Sequence, residues 1–188
     1  MTGHFKYDTN WCVITGAPSS GKTSVIEELA HRGYAIQNEV ARELIEECLR
    51  RGLSLSEIRD GAHVQDLQRR ILKLKIAREK GLDRGTLVFT DRGTPDSIAY
   101  FRLAKLDTAE AIEASKIFRY RAVFLFDRLP QFSKDGVRTE SEQQAKEIER
   151  MLIDDYTALG YKVIRVPVIP ILARTDFILR KLGIEEAA

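Results

Sequence analysis

The sequence predicts an α/β fold, a three-layer sandwich around a five-stranded parallel sheet, and three observations predict it. Three charged, helix-periodic segments end on a glycine and run directly into an apolar stretch: "AHRGYAI" at Gly33, "LDRGTLVF" at Gly85 and "TALGYKVI" at Gly160. Glycine after a helix supplies the left-handed stop that other residues resist, so each is a helix-to-strand joint. The apolar stretches themselves are short and lack clean alternation, as in strands covered on both faces. Between them, apolar residues recur at spacings of three and four, the mark of helices that bury one face.

In chain order the expected strands are Trp11 to Thr15, Tyr34 to Gln37, Thr86 to Thr90, Ala122 to Asp127 and Tyr161 to Val166. After the first, Val25, Ile26 and Leu29 share a helical face. After the second come Val40, Leu44, Cys48 and Leu49, then Val64, Leu67, Ile71 and Leu74. Ala145, Ile148, Leu152, Tyr156 and Leu159 precede the last strand. No internal repeat, low-complexity tract or linker divides the chain, so a single domain over 1–188 is expected. A chain of 188 residues buries roughly two thirds of its unfolded surface and needs no staples.

The composition, 44% hydrophobic and 31% charged, is that of a soluble globular protein. No apolar run approaches the roughly 18 residues of a membrane span. The opening "MTGHFKYDTNW" has no signal-like apolar core, and a cytoplasmic location is expected. Cys12 and Cys48 sit in apolar patterns without metal-site spacing and read as small buried hydrophobes. His4, His31 and His63 are scattered, forming neither a metal cluster nor a Ser-His-Asp set. A net charge of +2 supplies no strong field, so neither nucleic acid nor membrane is the expected partner. The densest basic run, Gln68 to Lys80, carries Ile71, Leu74 and Ala77 at helical spacing and reads as a solvated helix face.

The specific chemistry lies in Gly16, Ala17, Pro18, Ser19, Ser20, Gly21, Lys22 and Thr23, which fit G-x-x-x-x-G-K-[ST] between a hydrophobic strand and an amphipathic helix. Such a loop turns successive N–H groups inward as an anion nest, and the helix adds about half a positive charge at its N-terminus. Lys22 then reaches the β- and γ-phosphates of a nucleoside triphosphate. Thr23 ligates the Mg²⁺ that bridges them, and Ser24 completes the first turn.

Asp91 ends the third strand, where a P-loop domain carries a metal-holding or acceptor-activating carboxylate; the alternative is a cap for the helix opening at Pro95. Arg92 presents a planar fork suited to a substrate phosphate or carboxylate, or to an ion pair with an acid. Glu39, at the mouth of the second strand, and Arg42, one turn on, are candidates for substrate contact or for a surface pair of their own. The aperiodic segment 128–140 reads as a lid. Of its Arg128, Lys134 and Arg138, Arg138 is the first candidate to neutralise charge developing on the γ-phosphate.

These stretches resemble one family. "ITGAPSSGKTSVIEELAHRGY", "NEVARELI", "TDRGTPDSIAYFRL", "DGVRTES" and "GYKVIRVPVIPILARTDFILRKL" together are similar to P-loop kinases and ATPases related to the ribosylnicotinamide kinase domain of NadR proteins. The resemblance covers nearly the whole chain. It implies a nucleoside- or nucleotide-kinase-like P-loop NTPase fold with strand order 2-3-1-4-5. It also implies Asp91 as the acid that positions or activates an acceptor hydroxyl, Arg138 as the lid arginine, and Arg174 near the base of the nucleotide. The third element here is Asp-Arg-Gly, where nucleoside kinases carry Asp/Glu-Arg-Ser.

The expected function is an ATP- and Mg²⁺-dependent kinase acting on a hydroxyl of a small metabolite, with a nucleoside-like acceptor among the candidates. The alternative is an NTP-hydrolysing switch that engages a protein partner. A nucleic-acid kinase using the basic helix is a third and weaker reading. No N-K-x-D element for guanine is present, which favours ATP.

Overall fold

The computed structural model describes residues 4–58, 60–129 and 142–184. Its strands, in chain order, are Tyr7–Asp8 (β1), Cys12–Thr15 (β2), Ala35–Gln37 (β3), Val88–Asp91 (β4), Phe118–Arg119 (β5), Ala122–Phe126 (β6) and Val163–Val166 (β7). The helices are Lys22–His31 (α1), Val40–Arg50 (α2), Leu55–Ile58 (α3), Gly61–Gly81 (α4), Asp96–Leu103 (α5), Ala109–Ser115 (α6), Glu142–Ala158 (α7) and Ile171–Lys181 (α8). Five parallel strands form the main sheet in the order β3-β4-β2-β6-β7. Counted along the chain that is 2-3-1-4-5, the three-layer P-loop NTPase fold. Among the described residues no helix is long and apolar enough to cross a membrane.

Alternation along β2 assigns the two faces. Cys12 and Ile14 pack with Val25, Ile26 and Leu29 of α1 and Ile178 and Leu179 of α8. Val13, with Trp11 just before the strand, packs with Leu72 of α4, Ile98 and Phe101 of α5 and Tyr156 of α7. Both sets are essentially inaccessible to water, and each large side chain so buried contributes roughly 1.5–3 kcal/mol. Cys12 lies within this core, where burial pushes its thiol up to about 12. A satellite cluster of Val40, Leu44, Cys48, Ile58, Leu67 and Ile71 joins α2, α3 and α4.

All five expected strands are present, though four begin one or two residues later than the apolar pattern starts. Trp11 shows why: it is fully buried, its indole Nε1 donating to Asp83 O at 2.9 Å, yet the ladders of β2 begin only at Cys12, paired with Phe89 and Ala122. An apolar run reports burial, whereas a strand's ends are set by pairing. The parallel pair β1–β5 escapes sequence reading because two residues carry no period.

The basic segment 68–80 is not simply a solvated face. Lys75 and Glu79 of α4 are almost fully buried. They continue the stripe 67, 71, 75, 79, which is the face of α4 turned toward the core. Glu79 Oε1 accepts from Tyr120 Oη at 2.7 Å, Thr94 Oγ1 at 2.8 Å and Thr94 N at 3.2 Å, pinning the turn after β4. Burial raises the Glu79 carboxyl above its ordinary value, against those hydrogen bonds and Lys75. Tyr120→Phe removes one donor from this buried acid and is expected to cost about 1–3 kcal/mol, read as a lower urea midpoint. An unshifted midpoint would contradict the tie.

Candidate functional site

β2 delivers the chain into the glycine-rich loop against the middle of the sheet. Gly16 adopts φ +142°, and a Cβ there would lie 2.9 Å from the Phe126 carbonyl oxygen of β6, so no other residue fits this turn. The loop ends at Gly21, which precedes α1 without any side-chain cap, and no acidic residue occupies the helix's first turn. The N-terminal amides of α1 therefore face the loop, as an anion site requires.

Lys22 is buried with its Nζ over the loop, donating to Gly16 O at 3.1 Å, Ala17 O at 2.9 Å and Ser20 Oγ at 3.2 Å. Thr23 and Ser24 follow on the first turn, half-buried. Arg174 of α8 is only 2% exposed and braces the loop from behind. Its Nη1 donates to Ser20 O at 2.8 Å, and its guanidinium lies 5.3 Å from the Phe126 ring centroid. Its Nε and Nη2 have no hydrogen-bond partner.

Asp91 closes β4, paired in register with Ile14 of β2. It is 4% exposed and its Oδ1 has no partner. Burial, then the charge of Glu39, pushes its carboxyl up to about 6, against the pull of Lys22 and Arg92. The N-cap of α5 is Pro95 and no side chain caps that helix, so Asp91 is not its cap.

Immediately after Asp91 the backbone turns left-handed at Arg92, φ 67°, while Arg92 N still donates to Ile14 O at 3.0 Å. That conformation costs a side-chain-bearing residue roughly 1–2 kcal/mol, and it is held by what the side chain does. Arg92 Nε donates to Glu39 Oε1 at 2.8 Å and Nη1 to Asp96 Oδ1 at 2.9 Å, with the guanidinium 5.3 Å from the Tyr100 ring centroid. Burial opposes its charge, but Tyr100, Glu39, Asp96 and Asp91 raise its pKa well above the ordinary value. Arg92 thus makes an ion pair with Glu39 and with an acid the sequence reading did not single out.

That acid, Asp96, is completely buried. Its Oδ1 also accepts from Thr15 Oγ1 at 2.7 Å, and its Oδ2 accepts from Tyr156 Oη at 2.7 Å and Gly93 N at 3.1 Å. Burial alone would raise its carboxyl, but Lys75, Arg92 and these hydrogen bonds hold it below the ordinary carboxylate value. Lys75 Nζ donates to Gly93 O at 2.8 Å, and burial draws its pKa down. The glycine of Asp-Arg-Gly also has a steric reason. A Cβ at Gly93 would sit 2.9 Å from Tyr156 Oη, 3.0 Å from Tyr120 Oη and 3.0 Å from Val13 Cγ2, so a serine does not fit here.

Beside this array lies a cavity of about 470 Å³ whose lining includes Pro18 of the loop, Glu39, Arg42, Lys75, Arg92 and Ser97. The structure thus gathers the three expected substrate-contact residues, Glu39, Arg42 and Arg92, around one cavity. Arg138 lies outside the described residues, as does the expected lid from residue 130 onward. Arg128 is described and turns to α7, its Nη1 3.4 Å from Glu142 O and its Nε 3.7 Å from Glu149 Oε2. For a metal, Asp91 offers an unpartnered buried carboxylate oxygen, and Thr23 a hydroxyl on the first turn of α1. That oxygen-only set suits Mg²⁺, which takes one or two protein ligands beside phosphates. Among the described residues no group of three or more His, Cys, Asp or Glu is gathered.

Sequence reasoning missed Asp96, Lys75, Tyr156 and Thr15. The signal for Lys75 was present, on the same stripe as Leu67 and Ile71. Asp96 gave none, because an acid at the start of a helix ordinarily serves the helix end.

A family model described as an AAA domain matches residues 11–174. Among solved structures, that of NadR protein in complex with NR aligns with a TM-score of 0.69 at 20% identity, covering 96% of this chain and 53% of that one. Deoxyadenosine kinase from M. mycoides aligns at 0.63 with 15% identity, covering 92% and 98%. Thymidylate kinase from Candida albicans aligns at 0.62 with 14% identity, covering 92% and 90%. The chain spans about half the length of the NadR protein it matches, and at these identities the likeness is one of fold. No curated protein matches the chain.

Gly93→Ala is the sharpest test of the packing at this site. Overpacking against two buried hydroxyls and Val13 is expected to cost about 1–3 kcal/mol, read as a lower urea midpoint with an unchanged slope. A midpoint equal to the parent's would mean that the two tyrosines are free to move aside.

Proposed function

The chain belongs to this AAA domain family, and we propose that it is an ATP-dependent phosphotransferase that moves the γ-phosphoryl group to a hydroxyl of a small molecule. The observation that carries this reading is the cavity of about 470 Å³ beginning at Pro18 of the glycine-rich loop, within the range of small-molecule sites. A switch that engages a protein has no need of such a chamber beside its phosphate loop. The kinases among its structural neighbours support the same reading.

In this proposal the amides of residues 16–21 and the N-terminus of α1 cradle the triphosphate. Lys22, released from the loop carbonyls, neutralises its β- and γ-oxygens. Arg174 holds the loop's shape through Ser20. Thr23 would hold Mg²⁺, with Asp91 as its second ligand where that acid does not serve the acceptor, and the ion would supply charge neutralisation on the triphosphate. The acceptor occupies the cavity between Glu39, Arg42 and Arg92. Its hydroxyl oxygen forms the new bond to the γ-phosphorus as the bond to the β-phosphate oxygen breaks; the hydroxyl proton passes to the Asp91 carboxylate and ADP leaves. Arg138 is assigned, from its sequence alone, to screen the charge that develops.

ADP release that depends on an acceptor, measured across a metabolite panel with Mg-ATP, tests the reaction; phosphate release into water alone would overturn it. Because Asp91 acts ionised and its carboxyl is pushed up to about 6, kcat/KM is expected to fall about tenfold per pH unit below that value. Asp91→Asn abolishes turnover. It weakens Mg-ATP binding where the acid serves the metal and spares it where the acid serves only the acceptor. An acid limb absent down to pH 5, or turnover intact in Asp91→Asn, would remove Asp91 from the chemistry.

A further inference from the structure

Because the main sheet is parallel, its strands share one N-terminal edge, opposite the glycine-rich loop that follows β2. A second cavity, of about 420 Å³, lies at that edge. Its walls come from β1 ahead of β2, from the end of α4 and the turn ahead of β4, and from β5 ahead of β6. Lys6, Lys80 and Arg84 supply three cations, and no acid lines it. The rest of the lining is Tyr7, 37% exposed, with Leu82, Ile117 and Phe118.

The backbone brings these cations together by specific ties. β1 pairs with β5, Lys6 N donating to Lys116 O at 3.0 Å and Tyr7 N to Ile117 O at 3.0 Å. The turn that carries Arg84 is pinned by Trp11 Nε1 on Asp83 O at 2.9 Å and by Asn10 N on Arg84 O at 2.8 Å. Lys6 Nζ and the Arg84 guanidinium lie 5.3 and 4.5 Å from the centroid of the Tyr7 ring. Among the described residues none of the three forms an ion pair, whereas Arg32, Arg78 and Arg165 elsewhere each hold a carboxylate. The neighbouring acids are turned to other uses. Asp83 Oδ2 accepts from Thr86 N at 2.8 Å and Thr86 Oγ1 at 2.7 Å, and Asp8, next to Tyr7 on β1, faces the other side of that strand. The C-terminus of α4 accounts for a cation at Lys80. It does not account for Lys6 and Arg84, which reach the same cavity from two other parts of the chain.

A cavity lined by one sign of charge focuses its field and concentrates counter-ions. Three cations exceed the single charge of a carboxylate, and the apolar side chains among them favour a ligand with a carbon body over a bare ion. We propose that this cavity binds a small organic phosphate, at a site separate from the glycine-rich loop and independent of the phosphotransferase reading.

The test is calorimetry on the whole chain carrying Lys22→Ala, which disables the glycine-rich loop, with phenyl phosphate, phenol, benzoate, inorganic phosphate and a polyglutamate peptide as probes. Phenyl phosphate is expected to bind, with a change in the emission of Trp11, the sole tryptophan, whose ring lies 5.0 Å from that of Phe118. Its affinity is expected to exceed that of every other probe at least about tenfold. Adding Lys80→Gln and Arg84→Gln together is expected to weaken it at least about tenfold, since hydrogen bonds between ionised groups are the strong ones. Both side chains are exposed, so these two changes are expected to leave the urea midpoint unmoved. No heat from phenyl phosphate, or heat undiminished by the two changes, overturns the site. Equal affinity for phenol, for benzoate or for inorganic phosphate, the last meaning an adventitious ion only, overturns it as well. Tighter binding of polyglutamate does the same and makes the patch a surface for an acidic chain. None of these measurements needs turnover, so a failure here leaves the phosphotransferase reading standing.

Discussion

The buried carboxylate of Asp96 is the constraint on which the site depends. Four donors from three parts of the chain meet on it: Thr15 at the end of β2, Arg92 and Gly93 in the turn after β4, and Tyr156 on α7. An unpaired charge at full burial would be prohibitive, so these partners are obligatory rather than decorative. By gathering them, Asp96 fixes the left-handed turn at Arg92 and carries Arg92 to Glu39. It thereby sets the floor of the cavity relative to the glycine-rich loop that begins one residue after Thr15.

A second buried pair reinforces the same turn from beneath. Lys75 and Glu79, one helical turn apart on α4, hold Gly93 O and Thr94 respectively, and Tyr120 ties Glu79 to the far side of the core. The turn after β4 is thus gripped from α4, α7 and β2 at once. Gly93 sits where these grips converge, which is why the third position of the Asp-Arg-Gly element has no room for a side chain. Asp91 follows from the same geometry. With the turn locked, it is held at the strand end between Glu39 and Lys22, its Oδ1 unpaired.

The fold was legible because its determinants are local and periodic. Glycines at helix ends, short apolar runs and a phosphate-loop motif set between strand and helix each report on their own neighbourhood, and the sheet follows the order that the family resemblance implies. Glu39, Arg42 and Arg92 were also legible as candidates, since strand ends in this architecture point toward ligands. The Asp96 array was not, because its members are scattered between residues 15 and 156 and only the folded chain brings them together. Lys75 and Glu79 were hidden for a different reason: in a helix dense with lysine and arginine, composition reads as solvent-facing, and only the stripe shared with Leu67 and Ile71 betrays the burial.

The account turns on Arg92 and Asp96 acting as one unit. A double-mutant cycle with Arg92→Gln and Asp96→Asn, followed by urea unfolding, measures that coupling without requiring a substrate. Residues joined in one buried network couple by about 0.5–3 kcal/mol, and the account predicts a value in the upper part of that range. Single-mutant effects that add to within about 0.5 kcal/mol would contradict it and leave the two side chains as neighbours that do not depend on each other.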